Sequence, residues 1–445
     1  MTFSWRRRRA KPDEPRPEAD RNITGMELTT IPVHFLCPIS LDLMRDPVTL
    51  PTGITYDRES IETWLDSGNR TCPVTNRLLP EIPEPVPNHS IRKLIQDWCV
   101  LNRSWGIERI PTPRVPVAPH EVSEICSAID DSVRCEDAVK CRELVGRIKY
   151  LARDSERNRR CMMGNGLGPT VAGAFDSFAA RFPIEGDDRL DLLKEILSVL
   201  TWTSGSLGED GASRLKSTVS LRCMARFLRN EDNLSSRQNA MCVLRDLMDL
   251  DRDFVRILVG EIEGVEEAVF RIVKVPIGSR ATKAGLTVIQ RMMTWAVTSS
   301  SKFVRMGLIP SVLEIIVDGD KSACEKALGV LDTACGFKEG REIAYENALV
   351  IPLLVKKILR VSEVATGFCV SSLWKLLCLG EVKERGLVEA AECGGFQKLL
   401  LVLQIGSSGD KEKVTELLKA MNACRGKVEC FDSSLGFRYV KRSLD

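Results

Sequence analysis

Two short loops, residues 34–40 and residues 71–76, constrain the fold of the first hundred residues more than any other feature. Each loop contains a Cys-Pro pair, and the stretch between them opens with two β-prone runs, residues 48–50 and 54–56. The Pro-Thr-Gly segment at 51–53 separates the runs; its Pro presets φ, and its Gly accepts the positive φ of a tight turn. This pattern predicts a β-hairpin between the two loops.

Two amphipathic helices are predicted around the second loop. The first contains Ile61, Trp64 and Leu65 at i, i+3 and i+4 and stops before Gly68. Asp57 precedes it, and we expect its carboxylate to cap the free backbone N–H groups of the first turn. A second helix follows, opened by Asn88 and with an apolar face made of Ile91, Leu94, Ile95 and Trp98.

The order loop, hairpin, helix, loop and helix resembles a RING finger, but the metal ligands of a RING are missing. A RING holds a pair of Zn²⁺ ions, each with four Cys or His ligands, usually in paired C-x-x-C spacings. Residues 31–99 have no C-x-x-C pair, and their Cys and His are too few for such a pair of sites: Cys37, Cys72, Cys99, His34 and His89. We therefore expect no metal, with the loops held by hydrogen bonds, salt bridges and apolar packing. The charged candidates for these networks are Asp42, Arg45, Asp46, Asp57, Arg58 and Glu62.

Several short motifs run through residues 35–98 with definite spacing. In order they are Phe35-x-Cys37-Pro38-Ile39-Ser40, Met44-x-Asp46-Pro47-Val48, Thr52-Gly53-x-Thr55-Tyr56-Asp57-Arg58, Ile61-x-x-Trp64-Leu65, Cys72-Pro73-x-Thr75, and Pro87-Asn88 ahead of Leu94-Ile95-x-x-Trp98. Together they resemble the U-box, the zinc-free relative of the RING that is found in ubiquitin ligases. The resemblance implies a small RING-like α+β module over residues 30–105.

A proline-rich segment separates this module from the rest of the chain. Residues 110–119 are rich in proline, which favours extended polyproline geometry and predicts a semi-rigid linker over residues 106–120. Residues 1–29 contain Arg6, Arg7, Arg8 and Arg9 and then scattered prolines with mixed charge, which predicts a disordered arm. Residues 431–445 are predicted to form a tail that caps the last repeat or frays.

One helical unit recurs between residues 121 and 430. Aligning Pro310, Pro352 and Phe396 gives steps of 42 and 44 residues, within the range of about 40–47 residues for HEAT and armadillo repeats. Weaker copies lie near Pro169, Leu221 and Glu266. Each copy combines a charged helix, an apolar helix with Pro in its first turn, and a longer third helix, such as 323–334 or 370–379. Since one triplet cannot bury its apolar faces alone, the copies are expected to stack into an α-solenoid.

The Gly-x-Ile-Pro corner of this unit resembles armadillo repeats, and a U-box followed by such repeats is similar to the plant U-box ubiquitin ligases. The implied fold class is α with a small α+β module: a zinc-free RING-like U-box followed by an all-α armadillo-type solenoid. The implied function is ubiquitin transfer without a covalent intermediate on the ligase. The U-box would dock a ubiquitin-loaded conjugating enzyme, and the repeats would recruit the protein substrate for degradation or signalling.

The resemblance also assigns residues to this function. The positions that contact the conjugating enzyme are Ile39, Leu41, Trp64 and Pro73. The alternative is that all four belong to the core. Some family members have, after Cys-Pro-x-Thr, a basic residue that hydrogen-bonds both conjugating enzyme and ubiquitin; this chain has Asn76 there and Arg77 next, and both are candidates for this linchpin.

Charge and histidine content exclude several other classes of function. The 63 basic and 61 acidic residues leave a net charge of +2, so we expect no nucleic-acid binding. No His follows His120, so the helical region lacks the usual general base, and hydrolytic or zinc catalysis is not expected there. Cys37 and Cys72 have two interpretations. They could be nucleophiles that form a thioester with ubiquitin, but we favour the interpretation that they are buried thiols at former metal-ligand positions. No cofactor is expected.

The cysteines and the N-terminal residues bear on localisation. The 16 cysteines are scattered along apolar patterns and no apolar leader precedes them, so we expect a reducing compartment and a cytoplasmic protein. The arginines of the predicted arm have three interpretations: a solvated tail, a contact with acidic lipid, or a nuclear localisation signal. The resemblance implies stress or defence signalling in a plant cell.

A second function from a different class stays open. The chain could be a non-catalytic armadillo scaffold or adaptor with a degenerate U-box. Asn76 in the linchpin position favours this interpretation, whereas the intact Ile39, Trp64 and Pro73 favour the ligase.

Overall fold

The computed structural model describes residues 31–80, 85–110, 116–180, 188–230, 233–251, 253–379, 383–405 and 411–424. The predicted arm at residues 1–29, the middle of the predicted linker and the predicted tail at 431–445 lie outside these ranges. The chain divides into two compact units, Met1–Val115 and Pro116–Asp445, and each is described by itself. No helix among the described residues is both long and apolar enough to cross a membrane.

The first unit is built on a small antiparallel sheet. Its strands are β1 (Pro47–Thr49), β2 (Thr55–Asp57) and β3 (Val86–Pro87), in the order β2-β1-β3, and its helices are α1 (Arg58–Asp66) and α2 (His89–Leu101). Val48 at the centre of β1 pairs with Tyr56 on one side and Pro87 on the other. The predicted hairpin is present, and Gly53 takes a φ of +83° in its turn. Strand β3 had no signal in the sequence.

The core of the first unit gathers residues from both Cys-Pro loops, the sheet and both helices. It consists of Phe35, Cys37, Met44, Val48, Leu50, Tyr56, Ile61, Cys72, Leu79, Ile95, Cys99 and Ile110. The predicted apolar face of α2 is partly wrong, since Leu94 is 54% exposed while Arg92 and Gln96 are buried. The reason is that Arg92 reaches across the unit to the carboxylate of Asp46.

The predicted linker is anchored at both ends. Ile107 and Ile110 pack against the core of the first unit, and Gln96 Nε2 donates to the Ile110 carbonyl at 3.3 Å. At the other end, Val117 joins the core of the second unit, and its amide donates to Asn158 Oδ1 at 3.1 Å. Residues 106–110 therefore belong to the first module, and the connecting segment is shorter than the predicted 106–120.

The second unit is entirely helical where the structure describes it. Apart from a single-turn helix at Ser204–Ser206, it consists of longer helices, which are numbered in chain order. These are α3 (Pro119–Arg134), α4 (Ala138–Asp154), α5 (Glu156–Gly164), α6 (Leu167–Ala179), α7 (Asp188–Thr203), α8 (Gly208–Leu215), α9 (Thr218–Arg229), α10 (Leu234–Leu250), α11 (Phe254–Glu261), α12 (Val265–Lys274), α13 (Ser279–Trp295), α14 (Val297–Arg305), α15 (Leu308–Asp318), α16 (Lys321–Cys335), α17 (Lys338–Glu346), α18 (Val350–Lys357), α19 (Glu363–Leu377), α20 (Glu384–Glu392), α21 (Gly395–Ile405) and α22 (Lys411–Ala423).

These helices form the predicted triplets. The pair α3 and α4 comes first, and the triplets then begin at α5, α8, α11, α14, α17 and α20. Within each triplet the second helix packs on the third, and each third helix packs on the third helix of the next triplet. Helix α4 of the first pair packs on α7 in the same way. We call the row formed by α4 and the third helices α7, α10, α13, α16, α19 and α22 the third-helix ladder.

Local signals explain where the helices of a triplet begin. Gly307 takes a φ of +91° between the first and second helices of its triplet, a conformation that suits glycine, and α15 starts at the next residue. Several third helices begin after a side chain that accepts a hydrogen bond from the first turn, namely Asp137, Asn233, Asp320 and Ser362. For this reason α19 starts at Glu363 and not at the predicted residue 370. The weaker copies near Pro169, Leu221 and Glu266 are the second helices α6, α9 and α12.

Candidate functional site

The first Cys-Pro loop is a tight turn closed by its own backbone. The amide of Leu41 donates to the Cys37 carbonyl at 2.8 Å, and the amide of Cys37 donates to the Asp42 carbonyl at 2.9 Å. Leu41 takes a φ of +61°, which is unusual for a leucine. A short bridge between Leu36 and Leu43 closes the base of the loop.

The second loop repeats this geometry. The amide of Asn76 donates to the Cys72 carbonyl at 2.9 Å, the amide of Cys72 donates to the Arg77 carbonyl at 2.9 Å, and Asn76 takes a φ of +54°. A bridge between Thr71 and Leu78 closes its base. The two loops are thus equivalent, with Asn76 in the place of Leu41. The sequence signal for this equivalence is the Cys-Pro pair that both share.

Hydroxyl groups surround the thiol of Cys72. Its Sγ atom lies 3.0 Å from the Tyr56 hydroxyl and 3.3 Å from Thr52 Oγ1. Burial alone raises the pKa of this thiol, but hydrogen bonds from Thr52, Thr75 and Tyr56 outweigh it and lower the pKa to about 6. The same burial, together with the neighbouring Cys72, raises the pKa of Tyr56. The thiol is therefore the acceptor that ties the second loop to strand β2.

The thiol of Cys37 plays the corresponding part in the first loop. It is fully buried, and its Sγ atom accepts a hydrogen bond from the Asp57 amide at 3.3 Å. Burial raises the pKa of Cys37, and hydrogen bonds from the Ser40, Asp57 and Ile39 amides reverse that effect, so that the pKa is lowered overall. Both thiols thus accept hydrogen bonds from the elements around them. Among the described residues, no group of three or more Cys, His, Asp or Glu is arranged to hold a metal ion.

Charged side chains connect the segment after the first loop to both helices. Asp57 accepts the amides of Arg45 and Asp46 at 2.7 and 2.9 Å, so its carboxylate holds the chain after the first loop and does not cap α1 as predicted. Asp46 in turn accepts Arg58 Nε at 2.7 Å and binds Arg92 of α2. The predicted members Asp46, Asp57 and Arg58 thus form one network. Arg92 was missed, because its position on the helix gives no sign of a partner in a distant loop.

The predicted contact residues lie at the edge of this framework. Leu41 is 72% exposed, whereas Ile39 and Pro73 are half-buried. Trp64 is also half-buried, and its indole Nε1 donates to the Thr71 carbonyl at 2.9 Å, which fixes the ring beside the second loop. Val74, which occupies the place of Ile39 in the second loop, is 52% exposed and was not predicted. None of these five side chains is fully buried.

The two candidates for the linchpin differ in their surroundings. Both Asn76 and Arg77 are exposed, and the backbone of each closes the second loop. The guanidinium of Arg77 has no hydrogen-bonding partner among the residues that the structure describes. Arg77 is therefore the candidate whose charge is available to a partner.

The third-helix ladder is the second candidate site. Cations of one third helix pair with carboxylates of a neighbouring third helix or of its cap: Lys149 with Glu195, Lys283 with Asp320, Arg291 with Asp249, and Lys375 with Asp332. Tryptophans also lie on the third helices, and the indole of Trp374 donates to Glu416. This ladder offers a charged and aromatic surface but, within its described residues, no His.

Comparisons with known proteins agree with both units. The model for the U-box domain matches residues 31–104, and the model for the plant U-box protein ARM repeat region matches residues 121–441. U-box domain-containing protein 21 of Arabidopsis thaliana is 45% identical over 416 residues, which are 93% of each chain. E3 ubiquitin-protein ligase PUB23 of the same plant is 33% identical over 397 residues, 87% of this chain and 92% of that one. Among solved structures, the designed armadillo repeat protein YIII(Dq)4CqI covers 56% of this chain at 14% identity, with a TM-score of 0.45.

Proposed function

Because the chain belongs to the plant U-box proteins with an armadillo-repeat region and is a ubiquitin ligase of the U-box class, we propose how it divides the work of transfer between its units. A ubiquitin-loaded conjugating enzyme docks on the surface formed by the two Cys-Pro loops and α1. The protein substrate docks on the third-helix ladder. We propose further that the protein acts in the cytoplasm.

The partial exposure of apolar side chains on rigid loops is the observation that carries the docking proposal. Leu41 projects from a loop closed by its own backbone, and Trp64 is held by the Thr71 carbonyl. Ile39 and Pro73 are half-buried beside them. Apolar anchors that are already ordered lose little entropy on binding, so a small interface of this kind gains affinity from its rigidity.

The chemistry follows from positioning alone. The sulfur atoms of Cys37 and Cys72 are fully buried, so neither can reach the carboxyl terminus of ubiquitin, whatever the state of the thiol. The thioester therefore stays on the conjugating enzyme, and the ligase holds it beside the substrate amine. Restricting the two reactants in this way raises their effective concentration and aligns the attacking nitrogen.

We assign the linchpin contact to Arg77. Its guanidinium provides several N–H donors in a fixed fork and keeps its charge at any physiological pH. Asn76 closes the loop with a positive φ, and its shorter amide side chain carries no charge. In this arrangement Asn76 shapes the loop, and Arg77 donates hydrogen bonds to the conjugating enzyme and to ubiquitin.

Self-ubiquitylation of the purified chain with a panel of conjugating enzymes tests this proposal. We expect activity with at least one enzyme of the panel and its loss in Leu41→Ala. The matched control is Leu101→Ala, which shortens a comparably exposed leucine on α2, outside the two loops and α1, and should retain activity. Equal activity of the two variants would contradict the docking surface, and inactivity with every enzyme of the panel would favour a non-catalytic scaffold.

A further inference from the structure

We propose that a small basic cleft at the first rung of the third-helix ladder, between α4 and α7, binds an acidic peptide segment of the substrate. The cleft is lined by Arg142, Gly146, Lys149, Tyr150, Arg153 and Glu195. The inference rests on the proposed function, because it names the chemistry of the substrate for the surface to which we assign substrate binding.

The helix α4 that lines this cleft lies in a strongly basic stretch of the sequence. Residues 140–160 contain eight Arg or Lys against three Asp or Glu, whereas the whole chain has a net charge of +2. The remainder of the chain is therefore slightly acidic. A local excess of this size attracts anionic segments, although a balanced chain as a whole does not.

Helical geometry brings the cations of α4 onto one face. Arg142, Gly146, Lys149 and Arg153 follow at i, i+4, i+7 and i+11, which is a single stripe along an α-helix. At the centre of the stripe, a Cβ atom added to Gly146 would meet no atom within 4 Å. The missing side chain leaves a cleft of about 300 Å³ with cations above and below it.

Carboxylates of α7 hold two of these cations in place without neutralising the cleft. Arg142 lies 3.8 Å from Asp191, and Lys149 pairs with Glu195. Arg153 forms no ion pair with any carboxylate among the described residues. The cleft itself is lined by three cations and one carboxylate, so a positive charge remains for a ligand.

Two other parts of the ladder differ from this rung. On α13, Lys283 and Arg291 are both paired with carboxylates of neighbouring repeats. A second cleft floored by a glycine, Gly367, has about 390 Å³, but Asp332 and Glu363 line it together with Lys413. These two clefts of similar volume thus carry opposite charge, and the basic one is suited to an anion.

The dimensions of the basic cleft favour a peptide over a cofactor. Its volume is at the lower end of the range for ligand pockets, about 300–1,000 Å³, which leaves room for one or two side chains. Tyr150 adds an amphipathic ring to the cations. Aspartate or glutamate side chains of an extended segment can enter from the ladder surface and bind Arg153, with Arg142 and Lys149 close by.

Fluorescence polarisation with the full-length chain tests the inference. The probe is a fluorescein-labelled 12-residue peptide of alternating Glu and Ser, and its counterpart has Lys in place of Glu. We expect the Glu peptide to bind about tenfold more tightly at low salt, with the difference shrinking as the salt concentration rises. Equal affinity of the two peptides would overturn the inference.

Two variants test charge and shape separately. Arg153→Glu reverses the free cation, and Gly146→Leu fills the cleft while improving the helix propensity of α4, so each should weaken binding of the Glu peptide roughly three- to tenfold. Matched controls on α11 are Arg256→Glu and Gly260→Leu, where the arginine is exposed and a Cβ has open space. Circular dichroism confirms that each variant folds. A similar loss in the controls would overturn the inference.

Two further measurements separate this inference from the functions around it. If the wild-type chain fails to self-ubiquitylate while the Glu peptide binds, the proposed function is wrong and the cleft stands. Retention of the chain by vesicles containing phosphatidylserine, sensitive to Arg153→Glu and without binding of the Glu peptide, would assign the cleft to a membrane and overturn the peptide proposal.

Discussion

The phenolic oxygen of Tyr56 lies 3.0 Å from the Sγ atom of Cys72, and the amide of Val74 donates to the same oxygen at 3.3 Å. One hydroxyl on strand β2 thus holds both the buried thiol and the exposed segment of the second loop. The geometry of the proposed docking surface depends on this contact.

Removing that hydroxyl should destabilise the U-box. Tyr56→Phe keeps the ring in the core but removes the partner of the Val74 amide and one of the hydrogen bonds to the Cys72 thiol, which costs about 1–3 kcal/mol. Urea unfolding of a fragment that ends at Val115 measures the change. Leu101→Ala in the same fragment alters an 80% exposed side chain and is the control, which should leave the midpoint unchanged. An unaltered midpoint in Tyr56→Phe would contradict the role of the hydroxyl.

The Cys72 thiol should make the stability of the U-box depend on pH. Its pKa is about 6 in the folded chain and 9.0 in an unperturbed thiol, so between these values the unfolded chain retains a proton that the folded chain has lost. The free energy of unfolding should therefore rise with pH from about 6 to about 9, and this contribution is absent below about 6. Urea titrations of the fragment at several pH values measure the slope.

Cys72→Ala is the comparison for this prediction. In this variant the free energy of unfolding should rise less steeply with pH, because only the contribution from Cys37, whose pKa is also lowered, remains. An identical slope in the variant and the parent would mean that the Cys72 thiol is not ionised in the folded chain.

The U-box should fold without metal. Hydrogen bonds to Cys37 and Cys72 and the network around Asp46 already hold the loops. Elemental analysis of the purified chain should find well under one zinc per molecule, and a chelator should leave the melting temperature unchanged. Stoichiometric zinc, or a melting temperature that falls on chelation, would refute this account of the loops.

Ile39 should contribute to docking more than to folding. Ile39→Ala removes a half-buried anchor at a small interface, and losing such a contact costs about 1–3 kcal/mol, or roughly ten- to a hundredfold in affinity for the conjugating enzyme. Titration calorimetry measures the affinity, and circular dichroism monitors the fold. Val33→Ala, at a more exposed position, is the control. If Ile39→Ala unfolds the domain, the residue belongs to the core.

Local patterns in the sequence were sufficient for most of the fold. The turn at Gly53, the apolar spacing of Ile61, Trp64 and Leu65, and the recurrence of the helical unit all depend on residues that are close in sequence. The hairpin, α1 and the repeat architecture were predicted correctly for that reason.

Contacts between distant residues account for what was missed. Strand β3 has only two residues, one of them a proline, and its place is set by the Asn88 amide donating to the Pro47 carbonyl at 2.8 Å. Arg92 is buried because it binds Asp46, 46 residues earlier. Asp57 lies at the position of a helix cap but binds the chain before the hairpin. Helical periodicity and capping rules consider only residues that are close in sequence, so they do not predict such distant partners.

The proposed division of labour is tested most directly by separating the two units. The fragment ending at Val115 should discharge ubiquitin from a loaded conjugating enzyme, and the fragment beginning at Pro116 should bind substrate but transfer nothing. Tethering raises the effective concentration of substrate at the thioester to the order of mM. The decisive measurement is the rate of substrate ubiquitylation by the intact chain and by an equimolar mixture of the fragments at micromolar concentration. The account predicts a much higher rate for the intact chain and its inhibition by excess repeat fragment, whereas equal rates would contradict delivery of substrate by the solenoid.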